Sequence, residues 1–594
     1  MLIDYLREKF QAKFGNLGVS KDELDRMFRQ FLWEEEEMER TKMLLEAKID
    51  PVQQGSYTPS PGGVSSSSDD GDPFISVWDP LRSPVSGSGF QPTPSFIIGP
   101  LDIVLPLVPA GVYDFIVDWG DGTSDRITSW NQAETLHTYP SGAEYTVTIR
   151  GTIRGWQFYT GAVFNRGGVI ANKFLEILRW GCLRFINPIA TYENLGFFSG
   201  CRNLNLPNVV DTPNFEGITS LENMFRGRLV NLAPTTSPNY GKINEWDVSG
   251  ITNMKSMFRD NPYFNQNIGA WDVSNVTNMS EMFWGYTDTS LGSFNNGGSP
   301  DIGNWDTSSC TNMSAMFRGQ KFFDQNVGGW DVSLVTRMDY MFSGSSASTY
   351  GSFNNGGSDS IKDWNPQSCT SMQYMFINQP IFNQPIIGYW NVGQVISMLG
   401  MFQGVGVLTT FNNGYPAGVG ATASWNTSSV IRMESMFQNN SGFNQNIGGW
   451  NVSSLQNANA MFSFGSLPNI STFNNGGSNS INSWNTSSLQ RFASMFSSAS
   501  AFNQPVGGWD IDQVGVIPGG TNLTGIASHG NFMFGKTLSN YSTTNMDALL
   551  NGWASQSVLV SRSIHFGTIK RSAAGTNSYN ILRGKPWTIT GALL

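Results

Sequence analysis

The stretch QNIGAWDVSNVTNMSEMF, residues 266–283, decides the fold, because it recurs along the second half of the chain. Its tryptophan keeps an alternating clock through Trp246, Trp271, Trp305, Trp330, Trp364, Trp390, Trp425, Trp450, Trp484 and Trp509. Trp246 to Trp271 is a short interval and Trp271 to Trp305 a long one, and the two kinds alternate to the end of the series. Eleven residues after each of the first nine stands Met-Phe, from Met257-Phe258 and Met282-Phe283 to Met495-Phe496. A stack of similar coils needs such periodicity, since each coil presents the same side chains to its neighbours.

Within the quoted stretch, Ile268, Trp271, Val273 and Val276 mark an extended segment. Met279, Met282 and Phe283 follow at helical spacing. The pattern predicts a short strand around each Trp, then a turn, then one helical or 3₁₀ turn carrying Met-Phe inward. The ten tryptophans, with Met257, Phe258, Met282 and Phe283, are the expected core. Asp or Asn follows every rung Trp, from Asp247 to Asp510, and is expected to form a stacked ladder satisfying turn backbone. Short connections carry FNQ or FDQ, from Phe264 to Phe502. Long ones carry FNNG, at Phe294, Phe353, Phe411 and Phe473, and add about nine residues, as around Trp284 to Ser293. These insertions are expected to form a ridge, either a contact surface or simple filling. Cys310 and Cys369 occupy a position that holds Ile251, Val276 or Val335 elsewhere, so they read as small core hydrophobes. Two coils at ~4.8 Å put them ~10 Å apart, too far for a disulfide. The pairing of Cys182 and Cys201 stays open.

Working outward, charge is concentrated in segment 1–50 and sparse in the rest of the chain. Residues 2–14 read as a short helix. Ser20 and Glu23 form a capping box for a second, whose apolar face carries Leu24, Met27, Phe28 and Phe31. This segment, 1–50, is the expected anchor. Residues 51–95 are rich in Ser, Pro and Gly and read as a linker. Residues 96–155 read as a small β-domain, with Tyr113, Phe115, Val117 and Trp119 alternating. Residues 156–240 are expected to be capping and transition coils, 241–510 the regular array, and 511–594 a C-terminal cap, where Met533-Phe534 breaks the register.

Two resemblances follow from these residues. VDWGDGT (117–123), HTY (137–139) and EYTVTI (144–149) are similar to a PKD-type immunoglobulin-like sandwich. FNQNIGAWDVSNVTNMSEMF (264–283), repeated in degraded form, resembles the BspA-type leucine-rich repeat family of bacterial and phage surface proteins. The expected fold is therefore mainly β: a helical anchor, a PKD-like sandwich and a leucine-rich-repeat-type β-solenoid with short helical turns. The second resemblance implies adhesion or display and defines no binding residue.

Composition narrows the function. Charged residues make up 13% of the chain, against roughly 25% in average proteins. The net charge of −10 and the lack of a broad basic face argue against nucleic acid. No run of about 18 apolar residues suggests a membrane span. His137, His529 and His565 lack triad or metal spacing, and no phosphate-binding loop occurs, so neither cofactor nor catalytic residue is expected. Asp118, Asp121 and Asp125 could suggest calcium, but turn chemistry explains the Asp121-Gly122 pair equally. The N-terminal stretch MLIDYLREKFQAKF lacks the apolar core of a secretory signal. An exterior-type body without that signal leads to the expectation of a virion structural protein, a phage fibre or decoration protein. It would be anchored to capsid or tail proteins through segment 1–50. Host-surface glycans are the expected ligand, and a homo-oligomer, with a trimer as the usual fibre form, the expected assembly. A bacterial cell-surface adhesin is the alternative, and a glycan depolymerase a third reading.

Overall fold

The computed structural model describes residues 71–82, 99–158, 170–187, 196–227, 239–285, 292–344, 350–405, 425–465, 471–514, 530–557, 562–585 and 587–592. The chain divides into two compact units, Met1–Ser67 and Ser68–Leu594. The first unit lies outside the described residues, and with it the anchor helices and Leu24, Met27, Phe28 and Phe31. The described residues are mainly β, with two α-helices, and none of their helices is long and apolar enough to cross a membrane.

A six-stranded sheet opens the second unit. Its strands are β1 (Phe74–Trp78), β3 (Val112–Asp118), β4 (Ser124–Ile127), β6 (Tyr145–Arg154), β7 (Phe174–Arg179) and β8 (Leu183–Arg184). They run in the order β4-β3-β6-β1-β7, with β8 parallel to β6 and the other pairs antiparallel. Strands β2 (Asp102–Val104) and β5 (Leu136–Thr138) pair separately. Tyr113, Phe115 and Val117 are buried while Val112, Asp114 and Ile116 are exposed, the alternation expected for β3. The expected linker and domain boundaries need correction. Strand β1 lies inside 51–95 and is a central strand, with Phe74, Ser76 and Trp78 buried, and β7 and β8 come from the expected transition segment. A short run of alternating burial satisfies a strand between two partners, whatever the composition of its flanks.

The repeats start on the edge of this sheet. Glu176 of β7 bridges Asn205 in parallel, and Asn205 N–H donates to Leu175 O at 2.8 Å. A single column of parallel bridges then runs Ser220, Asn253, Asn278, Asn312, Arg337, Ser371, Ser397, Arg432, Asn457 and Arg491. From Asn253 on, each rung stands seven residues after a rung Trp. The expected strand around the Trp is thus displaced. Asp247, Asp272, Asp306, Asp331 and Asn451 each accept the N–H two residues on, at 2.8–3.1 Å, which bends the chain just after the Trp. The bonds these side chains make close local turns, as expected.

The Met-Phe segment is also not helical. Its N–H groups alternate between the carbonyl three residues back and the next repeat: Met257 N–H donates to Met254 O and Phe258 N–H to Met282 O. That alternation requires a left-handed residue ten after each Trp, seen at Ser256, Glu281, Ala315, Tyr340, Tyr374, Ser435, Ala460 and Ser494 with φ 54–60°.

Stacking aligns the interior. Phe225, Phe258, Phe283, Phe317, Phe342, Phe376, Phe402, Phe437, Phe462 and Phe496 form one column, with neighbouring centroids 5.5–5.8 Å apart and planes within 14°. The column extends back through Phe198 to Phe174 on β7. Among the described residues the connection phenylalanines make a second column, packed 3.8–4.1 Å from their own Met-Phe rings, as in Phe258–Phe264, Phe317–Phe323 and Phe376–Phe382. All ten rung tryptophans and Met257, Phe258, Met282 and Phe283 are buried. Trp271, Trp330, Trp364, Trp390 and Trp509 donate their indole N–H to a carbonyl of the preceding repeat at 2.7–3.0 Å, and Trp305, Trp425 and Trp484 at 3.2–3.3 Å. Trp246 begins the regular array, and its indole N–H is buried without an acceptor.

The side-chain ladder that crosses repeats sits beside the second column. Asn295 N–H donates to Asn265 Oδ1, Asp324 N–H to Asn295 Oδ1, Asn354 N–H to Asp324 Oδ1 and Asn383 N–H to Asn354 Oδ1, at 2.6–3.1 Å. The same pattern resumes from Asn444 through Asn474 to Asn503. Long repeats fold their NGG into a 3₁₀ turn whose buried Asn296, Asn355 or Asn475 accepts from Ile268, Val327 or Ile447 of the preceding short repeat.

Beyond Trp509, where Met533-Phe534 was expected to break the register, Phe532 and Met533 are the buried pair and Phe534 is half exposed. Phe532 meets Phe496 edge-on at 74°, which ends the parallel column. Lys536 is fully buried, and its ammonium donates to the carbonyls of Ala499, Phe502 and Asn540 at 2.7–2.9 Å. Burial pushes its pKa down to about 7. Helices α1 (Thr543–Ala554) and α2 (Ala573–Gly584) and the parallel strands β9 (Arg562–His565) and β10 (Trp587–Thr590) complete the cap.

Candidate binding face

The alternation that sends Met and Phe inward leaves the positions seven, nine, ten and thirteen residues after the Trp partly exposed in most repeats, although Ser256, Asp339 and Ser343 among them are buried. The interior varies little, whereas these positions vary freely. Position thirteen holds Arg259, Trp284, Arg318, Ser343, Ile377, Gln403 and Gln438 in successive repeats. Many of the array's few charges gather here.

Several are paired. Arg337 holds Asp339 through Nε at 2.9 Å, Arg432 holds Glu434 at 3.0 Å, and Lys255 lies 3.5 Å from Glu222. At the N-terminal end Arg226 and Arg259 flank the buried Asp260 at 3.8 and 3.7 Å, and Arg259 also pairs with Glu281. Burial raises the Asp260 pKa against the pull of the two guanidinium groups, and lowers that of Arg226.

From this cluster a ladder of planar groups crosses five repeats. The Arg259 guanidinium lies 3.9 Å over Trp284, Arg318 lies 4.5 Å from Trp284 and 4.4 Å from Tyr340, and Tyr340 stacks on Tyr374 at 4.9 Å. All five side chains remain partly exposed. Gly400 ends the ladder: it is left-handed at φ 59°, and a Cβ there would meet the Tyr374 ring at 2.4 Å. Arg318 carries no ion pair among the described residues, although burial lowers its pKa.

Of the residues singled out from sequence, the tryptophans, methionines and phenylalanines come together as the interior. Cys310 and Cys369 are fully buried there, and no disulfide links Cys182 to Cys201, which answers the open question about that pair. Asp118, Asp121 and Asp125 are bonded to Gly120 N–H, to Thr123 and His137, and to the Trp119 indole; among the described residues no three ligands could share a metal. His137 stacks on Trp119 at 4.5 Å and meets Asp121 at 2.8 Å. Arg259, Arg318, Tyr340 and Tyr374 were not singled out, nor Trp284 beyond its place at the start of an insertion. The signal that finds them is the column of position thirteen, read for differences instead of constancy. The expected insertion ridge lies largely outside the described residues.

The repeats match a known family. Residues 194–297, 288–415 and 407–519 each match the family described as Mycoplasma protein of unknown function, DUF285, and together they cover more than half of the chain. The chain belongs to this family. No curated protein and no solved structure matches it. The ladder from Arg259 to Tyr374 therefore lies wholly inside the DUF285 repeats.

Proposed function

We propose that this protein is a non-enzymatic structural protein of a virion, a phage fibre or decoration protein, whose DUF285 repeats form a leucine-rich-repeat-type solenoid displayed for attachment to host-surface glycans. The carrying observation is the contrast between an interior repeated ring for ring and an outward face that changes at every step. A scaffold that holds its shape while varying one face is built to present contacts. The chain's low charge and abundant Asn, Ser, Thr and Gly suit an exposed surface. In this reading segment 1–50, through Leu24, Met27, Phe28 and Phe31, docks on capsid or tail proteins. The sheet before the repeats is a PKD-like spacer, and a homo-oligomer, in the fibre case a trimer, multiplies weak contacts. Mass spectrometry of purified particles tests this: the chain is expected at fixed stoichiometry, and its absence overturns the reading.

A second reading, a bacterial cell-surface adhesin, is favoured by the mycoplasmal description of the family. Protease treatment of intact cells would then release repeat fragments.

A further inference from the structure

Arg318 departs from its counterparts. Arg259, one repeat pair earlier, spends its charge on Glu281 and Asp260. Arg318 has the Trp284 ring at 4.5 Å and the Tyr340 ring at 4.4 Å, and no carboxylate within ion-pair distance among the described residues. Two rings occupy its surroundings and leave its N–H edge to find an acceptor. A guanidinium held this way is fixed in orientation, half-removed from water and matched in geometry to a carboxylate, which it binds through two parallel N–H···O bonds.

We propose that the edge of Arg318 binds the carboxylate of an acidic polysaccharide lying along the ladder between Arg259 and Tyr374. This deepens the display reading and rests on it. Two observations select a uronate-type sugar chain. Glu281 acts on Arg318 only from beyond ion-pair distance, and among the described residues no carboxylate pairs with it, so the complementary ligand group is an anion. Neighbouring repeats are bridged main chain to main chain in parallel, so each advances by one strand spacing, ~4.8 Å. A β-1,4-linked pyranose advances by about one such step, so each sugar meets a new repeat. An extended peptide presents same-face side chains about every 6.6 Å and drifts out of register within a few repeats. The flanking outward positions hold Asn312 and Gln373, amides that pair with sugar hydroxyls.

Calorimetry on the full chain tests the assignment with hexamannuronate, the neutral β-1,4 mannohexaose and hexaglutamate as probes. Hexamannuronate is expected to bind, more weakly as salt rises, and R318Q to weaken it ten-fold or more, with R318K intermediate. Gln403 and Gln438 already occupy the equivalent position, so R318Q is expected to keep the wild-type melting curve. Equal binding of mannohexaose, unchanged binding by R318Q, equal binding of hexaglutamate, or no binding of hexamannuronate each overturns the assignment. None of these removes the chain from a particle, so the display reading stands or falls separately.

Discussion

At the scale of the residue, the rung tryptophans do two jobs, and the array separates them. In Trp330 the indole fills the interior and its N–H satisfies a carbonyl of the preceding repeat at 2.9 Å. In Trp246 the same N–H has no acceptor. Replacement by Phe removes the N–H and little else. W330F is expected to cost about 0.5–1.5 kcal/mol, because one hydrogen bond is lost while Ile302 O keeps the bond from Trp305 N–H, and W246F distinctly less. Urea titrations of the two variants check this, and equal losses would show that the indole bond contributes nothing. The buried thiols make a pH prediction. Burial pushes Cys310 up to about 11 and Cys369 up to about 12, from an ordinary value of 9.0. Above pH 9 the unfolded chain gives up protons that the folded chain retains, so stability falls as pH rises. Val fills the same seat in other repeats, and the C310V/C369V variant is expected to lose less stability than wild type between pH 9 and 10. Melting temperatures at pH 8, 9 and 10 would show parallel slopes if the thiols are irrelevant.

At the scale of the element, the unit is a pair of unlike repeats held by the ladder of Asn265, Asn295, Asp324, Asn354 and Asn383. Asp324 is the one acid on these rungs. Its carboxylate accepts from Asn354 and Gly356 N–H, yet burial still raises its pKa. An unfolded Asp ionises first, so this group's contribution is lost as pH rises from about 4. D324N is expected to raise the urea midpoint at pH 7 and to leave a smaller difference at pH 4. A lower midpoint at pH 7 would show that the ladder needs the charge. This scale also shows what sequence could and could not convey. Rung Trp, Met-Phe and the two connection types were legible because burial repeats with the backbone. Main-chain pairing was not: it sits seven residues past each Trp, on Asn, Ser and Arg side chains with no apolar mark. Strand β1 was hidden for a related reason, being a short run between turn-rich flanks. The outward ladder was missed because attention to constant positions passes over the ones that vary.

At the scale of the whole second unit, the alternation has a measurable meaning. The interval from Trp271 to Trp330 equals that from Trp305 to Trp364, so a short and a long repeat make one period. Each NGG turn accepts from the short repeat before it, and each short connection donates to the long one before it. Removing one whole period, residues 320–378, is expected to leave a cooperatively folding chain with a modestly lower melting temperature. Removing the single short repeat 306–330 sets two long repeats side by side and is expected to destabilise far more. Similar melting of the two deletions would mean that the pairing of unlike repeats carries no energy. Among the described residues, main-chain pairing meanwhile begins at β4, passes through the sheet and a bridge column that ends at Arg491, and closes on the separate β9–β10 pair. Its first strand is four residues long and carries Asp125 and Arg126, and its last is four residues long and is followed by left-handed Gly591 and Ala592. Short or charged outer strands offer little to a second chain. Among the described residues, the two outermost strands therefore offer another copy only four residues of edge each, too little to seed end-to-end pairing by backbone alone.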